Sequence, residues 1–222
     1  MNAQGGGARR GLNETMAASA DDLFPDAAER PGAVVLCRHG EPALPRNIRL
    51  SARGYREWWA RYEIGGLKMD QEIPATLKTT AEKAGFLIAS TRLRSIQTAQ
   101  ALSLGRAFAE DPLFIEAPLP PPHWPDWIKL SPRLWGFIAR VWWWFFDHND
   151  GEESRAEAQL RAEEAARQLI DLAATGQDVL VVAHGFFNGM VGESLKRLGW
   201  RCTVDQGFRY WSARRFEVAG KP

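Results

Sequence analysis

Apolar and polar positions alternate along this chain in two distinct rhythms. Ala33–Cys37 and Val179–Ala183 are short, β-branched-rich runs without helical spacing, the pattern of strands buried on both faces. Phe86-Leu87-Ile88-Ala89-Ser90 reads as a further core strand, Leu113–Ala117 as another strand end, and Phe208 to Glu217 as a strand or hairpin edge. Between these runs the period changes. Ser51 is a candidate N-cap for a helix whose Tyr55, Trp58, Trp59 and Tyr62 share one face, with Gly65-Gly66 ending it. Ile73 to Lys83 is an amphipathic or irregular connection. Thr91 to Leu104 is expected to be helical, with Ile96, Ala99, Ala101 and Leu102 turned inward. Ser131-Pro132 has the form of an N-cap and first helical residue. Ser154 caps a long helix to about Ala174, its apolar side built from Ala158, Ala162, Ala165, Leu169 and Leu172. A last helix is expected to open at Phe186-Phe187-Asn188, after His184-Gly185, and to run to about Leu198.

Two of the strands end in the same chemistry. The first runs into Arg38-His39-Gly40-Glu41, and the one at Val179–Ala183 runs into His184-Gly185. Open α/β sheets place ligands at the carboxyl ends of their strands. There a guanidinium offers a planar fork of donors to phosphoryl oxygens, and a neutral imidazole can act as a nucleophile near pH 7. Gly40 permits close approach of backbone to ligand, and backbone N–H groups at the helix start after His184 favour an anion. Two such strand ends imply two imidazoles facing one pocket.

The Arg38–Glu41 motif and the late strand leading to His184-Gly185 resemble those of the histidine phosphatase (phosphoglycerate-mutase-like) superfamily, phosphatase branch. Leu50-Ser51-Ala52-Arg53-Gly54, the segment Ser90 to Ala99, and Gly151-Glu152-Glu153-Ser154 are similar to further family motifs in the right order. The resemblance implies a three-layer α/β/α sandwich with a mostly parallel mixed sheet, carrying a Trp-rich helical insertion at about 118–150 near the active site. It implies a phosphomonoesterase in which His39 becomes phosphorylated, Arg38, Gly40, Arg94 and His184 hold the phosphoryl group, and Glu116 is the general acid and base. Arg92 rivals Arg94 for its role, and Asp126 rivals Glu116. No metal or cofactor is expected. A mutase-type phosphotransferase, a phosphohistidine protein phosphatase and a non-catalytic phospholigand module are the competing classes.

Composition narrows the partners. A formal net charge of +1 gives no global attraction to nucleic acid or an acidic membrane. The two cysteines, Cys37 in a core strand and Cys202 in a late loop, make no disulfide framework and suit a reducing, cytoplasmic setting. Residues 1–31 lack the apolar stretch of a secretory signal and read as a flexible tail, with Leu23-Phe24 available to pack on the domain at 32–222. Arg46 and Arg49, in the loop after Glu41, read first as solvated charges and second as a rim of the pocket, and Asn47 is left out of the site. His123 and His148 read as incidental loop histidines, since no His-x-x-x-His or Cys-x-x-Cys spacing is present.

Tryptophan needs a local explanation, because six of the ten lie between Trp124 and Trp144. The helix after Ser131 is apolar nearly all round and must be covered on more than one side. A cap over the site, a homodimer surface and a membrane interface are the three coverings, and the uncharged run is too short to span a bilayer. As a cap it would favour a small phosphorylated substrate with an apolar or ring-bearing moiety. Peripheral membrane contact ranks behind both alternatives.

Overall fold

The computed structural model describes residues 30–219, so the expected tail and the packing of Leu23-Phe24 lie outside the described residues. Six strands form one mixed sheet in the order β3-β2-β4-β1-β6-β5. They are β1 (Val34–Arg38), β2 (Phe86–Ala89), β3 (Ala109–Glu110), β4 (Val179–Ala183), β5 (Trp200–Asp205) and β6 (Ala213–Val218). The first four in spatial order are parallel, and β6 and β5 close the far edge as antiparallel strands. Among the described residues the α-helices are α1 (Ala52–Ile64), α2 (Ala75–Lys83), α3 (Leu93–Ser103), α4 (Pro132–Phe146), α5 (Arg155–Ala173) and α6 (Gly185–Arg197).

Alternation along the central strands divides the core into two layers. Val34 and Leu36 join Val179 and Val181 on one face, against the alanines of α5 and against Phe187, Val191 and Leu195 of α6. Val35 and Cys37 join Leu180 and Val182 on the other, against Leu77 and Ala81 of α2 and Ala99 and Leu102 of α3. The expected sandwich is therefore present, with the sheet as its middle layer. Ser154 caps α5 through a complete capping box with Glu157, which fixes where the long helix starts.

Several local expectations need correction. The segment 113–117 is no strand: Asp111 caps a single 3-10 turn at Pro112–Phe114, and the edge strand lies earlier, at Ala109–Glu110. Ile73–Lys83 contains the regular helix α2. Helix α3 turns Arg94, Ser95 and Thr98 inward with Ala99 and Leu102, while Ala101 is exposed and Ile96 half-buried. Its polar inward face faces the site rather than the core. Cys202 lies on β5, half-buried, not in a loop.

The tryptophan-rich segment packs within the chain on one side. Trp135 and Trp143 of α4 are buried, and Trp135 joins a stack with Tyr55, Trp58 and Tyr62 of α1 at centroid separations of 6.1, 5.8 and 5.1 Å between successive neighbours. The Trp135 indole donates to the Leu50 carbonyl at 2.7 Å, beside an isolated bridge joining Leu50 to Leu130. The opposite side of α4 leaves Phe137, Phe145 and Phe146 exposed. Among the described residues no helix is long and apolar enough to cross a membrane.

Trp135→Ala should therefore destabilise the fold by about 3–5 kcal/mol, the range for emptying a buried aromatic site. Urea unfolding followed by far-ultraviolet circular dichroism measures it, and a loss under ~1 kcal/mol would show that the stack does not anchor α4.

Candidate active site

Three neighbouring parallel strands deliver their next residues into one row. β2, β4 and β1 are adjacent, and Ser90, His184 and His39 each follow the strand end or lie one residue beyond it. The ladder continues past the strands, since the His39 amide donates to Ala183 O at 3.0 Å and the Ser90 amide to Val182 O at 2.9 Å. The two rings stand edge to face with centroids 5.2 Å apart, each only 1% exposed.

Hydrogen bonds settle both tautomers. His39 Nδ1 lies 2.7 Å from the carbonyl of Gly40 and must carry the proton, which leaves Nε2 with a free lone pair. The Gly40 amide in turn donates to Thr98 Oγ1 at 3.0 Å. A Cβ at Gly40 would come within 2.6 Å of the Trp211 ring, so only glycine fits this turn. His184 Nδ1 lies 3.3 Å from Arg94 Nη2, a group that can only donate; its Nε2 therefore donates to Ser90 Oγ at 2.9 Å.

Cations crowd these rings. Arg94 is completely buried, with Nη1 on the carbonyls of Tyr62 and Glu63 and Nη2 on Glu63 Oε1 at 2.8 Å. Glu63 also pairs with Arg92 through Oε2 at 2.8 Å, so one carboxylate bridges the two arginines. Arg94, not Arg92, reaches His184, while its Nε keeps no partner. Arg38 donates through Nη1 to the Phe208 carbonyl, stacks on Tyr210 at 4.4 Å and leaves its buried Nε unpartnered. Gly185 makes room for it, because a Cβ there would stand 3.2 Å from Arg38 Nε.

Glu116 reaches the same region from the 3-10 turn. Its carboxylate accepts from the Phe187 amide at 2.8 Å and the Phe186 amide at 3.4 Å, at the N-terminus of α6. Arg161 fixes this segment: it grips both oxygens of Glu153 at 2.6 and 2.7 Å and donates to the carbonyls of Leu113 and Ile115. Asp126 is an exposed partner of Arg53 at 3.4 Å and lies outside this network.

Four residues join the site that the motifs did not assign to it. Ser90 anchors His184, Glu63 neutralises the paired arginines, and Tyr210 lies over Arg38, tilted against His39 at 5.7 Å. Arg46 is the fourth. It stacks over Tyr62 at 5.2 Å and Tyr210 at 5.5 Å and is near enough to His39 to act on its charge, a correction to its reading as a solvated loop residue. Its place in the loop after Glu41 had allowed a rim position, and the aromatics on α1 supply the seat for the cation. Arg49 is exposed, as expected.

Residues 34–203 match the profile of the histidine phosphatase superfamily, branch 1. The chain belongs to this superfamily. Its structure is similar to that of YhfR from Bacillus stearothermophilus, at 19% identity over 85% of this chain and 92% of that one, with a TM-score of 0.52. It is also similar to the product of open reading frame Rv3214 from Mycobacterium tuberculosis, at 21% identity, 86% and 98% coverage and a TM-score of 0.49. A mycobacterial glucosyl-3-phosphoglycerate phosphatase, Rv2419c, follows at 19% identity, 76% and 81% coverage and 0.48. At these identities the likeness concerns the fold alone. No curated protein matches the chain.

Burial holds both histidines of this superfamily member in the neutral form. For His39, desolvation acts first, then the charges of Arg94 and Arg38, with Arg46 adding to them. For His184, desolvation leads again, followed by Arg94 and by His39 itself. Both pKa values lie well below the usual 6.5. An unfolded imidazole regains its ordinary value of about 6.5, so below that pH the unfolded chain binds more protons than the folded one. Stability should thus be fully retained above pH ~6.5 and fall as pH drops, with a slope of up to about 2.7 kcal/mol per pH unit for two protons. Urea midpoints measured between about pH 7 and pH 5 check this, and His39→Gln should make the slope shallower. An identical slope in that variant would mean that His39 is not held neutral.

Proposed function

We propose that the protein is a metal-independent phosphomonoester hydrolase that forms a phosphohistidine on His39. The observation that carries this reading is the lone pair on His39 Nε2, created by the bond from Nδ1 to the Gly40 carbonyl, in a ring walled by guanidinium groups. In the first step Nε2 attacks phosphorus as the bond to the leaving oxygen breaks. The dianionic phosphoryl group needs its equatorial charge balanced, and Arg38, Arg94 and Arg46 supply it, with His184 beside them. Glu116, held at the start of α6, gives its proton to the departing oxygen. In the second step it takes a proton from the water that attacks the phosphohistidine, and inorganic phosphate leaves. Such proton transfer contributes about 10²–10⁴ in rate.

The cavity beside this pair points to the substrate's other half. Its volume is about 710 Å³, and its lining includes Trp58, Trp59, Trp144, Phe186 and Met190 together with Arg46, Arg140 and Arg214. Neither histidine lines it; Arg38 and Gly185 do, and so connect it to the buried pair. An aromatic wall of this size favours a phosphomonoester with a ring-bearing or otherwise apolar leaving group.

Release of inorganic phosphate from an aryl phosphate, measured with a chelator present, tests the reaction. His39→Ala should lower turnover more than ~10³-fold and abolish the acid-labile phosphoenzyme. Unimpaired turnover in that variant would remove His39 as the nucleophile. Phosphoryl transfer to an added alcohol in place of water would point to the mutase class instead. Trp144→Ala should raise KM for the aryl substrate about tenfold while leaving that for glycerol phosphate nearly unchanged. Equal effects on both would argue against the aromatic wall as the specificity element.

A further inference from the structure

The structure gathers two histidines and an aspartate at the place where the segment carrying α4 leaves and rejoins the domain. His123 comes from the proline-rich stretch before α4, and His148 and Asp150 from the turn after it. The Nε2 atoms of both rings face the same oxygen, Asp150 Oδ1, at 2.9 Å for His123 and 3.7 Å for His148, and the rings stand edge to face at 5.4 Å. All three candidate ligand atoms lie within 4.8 Å of one another. The Pro121 carbonyl is 3.1 Å from His148 Nε2. Their ligand atoms converge across 27 positions rather than along one helix, so no short spacing in the sequence announces them.

We propose that His123, His148 and Asp150 form a binding site for a single divalent transition-metal ion, zinc above all. Zinc takes imidazole nitrogen and carboxylate oxygen at about 2.0–2.2 Å in tetrahedral geometry, which sets its ligand atoms roughly 3.3 Å apart. The two distances from the histidines to Asp150, 2.9 and 3.7 Å, straddle that spacing, and the two imidazole nitrogens lie within 4.8 Å of each other. Imidazole with one carboxylate favours zinc, copper or nickel over magnesium or calcium, which need more oxygen. Arg56 donates to the other oxygen, Asp150 Oδ2, at 2.5 Å. That contact leaves Oδ1 as the single metal-facing atom and fixes the carboxylate from outside, the role that surrounding hydrogen bonds play in metal sites. Its positive charge also weakens attraction for the ion, which makes this a site of moderate affinity. With three protein ligands, water completes the fourth position. No proton need be lost by either ring: the Nε2 hydrogens that His123 turns to Asp150 and His148 to the Pro121 carbonyl can both move to Nδ1 when the metal takes their place.

The site would clasp the two ends of the α4 segment to each other and, through Arg56, to α1. It shares no ligand with His39 and His184 and does not depend on the catalytic reading.

Calorimetric titration of the metal-stripped full chain with zinc chloride, near neutral pH in a non-chelating buffer, tests the proposal. One equivalent should bind, and binding should weaken at least ~10–100-fold in His123→Ala and in Asp150→Asn. His123 is 66% exposed, so its removal leaves the fold intact. His39→Ala should bind zinc as the parent does, which separates this site from the catalytic imidazoles. Absence of a saturable binding event, or affinity unchanged in His123→Ala, overturns the proposal.

Discussion

The register between β2, β4 and β1 is the constraint on which the rest depends. Pairing Arg38 with Ala183 and Ala89 with Val182 puts Ser90, His184 and His39 side by side, just past the ladder. Side chains in a strand alternate faces, so a slip of one residue would send one imidazole to the opposite layer. What pins the register is burial on both faces: Val34, Val35, Leu36 and Cys37 each occupy a place in one of two cores. Even the Cys37 thiol, its pKa pushed up to about 12 by desolvation, belongs to this packing rather than to the chemistry next to it. Asn188 adds a clamp from α6, donating to the Cys37 carbonyl at 3.0 Å.

Above this frame the molecule meets an electrostatic difficulty. A pocket for a dianion needs positive charge, yet a buried guanidinium with no counter-charge costs several kcal/mol. Arg94 is the acute case, and its solution is local: one carboxylate, two backbone carbonyls and the face of Tyr62 at 4.4 Å surround it. The aromatic side chains of α1 thus serve two ends. Tyr55 and Trp58 pack α1 against α4, while Tyr62 seats cations on their way to the histidines.

How much of this was legible in the chain follows from the range of each signal. Strand runs, capping serines and strand-end histidines are local patterns, so the sheet, the starts of α1, α4 and α5, and the pairing of His39 with His184 could be read directly. The resemblance added Arg94 and Glu116, both of which lie in the same region as the histidines. Glu63, Arg46 and Tyr210 could not be found this way. Each looks like an ordinary surface residue in its own segment and acquires a role only when α1, the loop after Glu41 and the β5–β6 turn meet. The short edge strand was misplaced for a related reason: Phe114 and Ile115 are apolar for packing, but Asp111 and Pro112 impose a turn. Tryptophan density announced an unusual segment without saying which side would be covered.

Arg38 has one more consequence. The guanidinium expected to meet an incoming phosphate already holds the backbone at Phe208 and the ring of Tyr210, the turn that roofs His39. The same fork of donors therefore serves as latch and as receptor. An anion that drew Arg38 to itself would do so at the expense of the Phe208 carbonyl, so one guanidinium couples the pocket to the hold on its own covering turn.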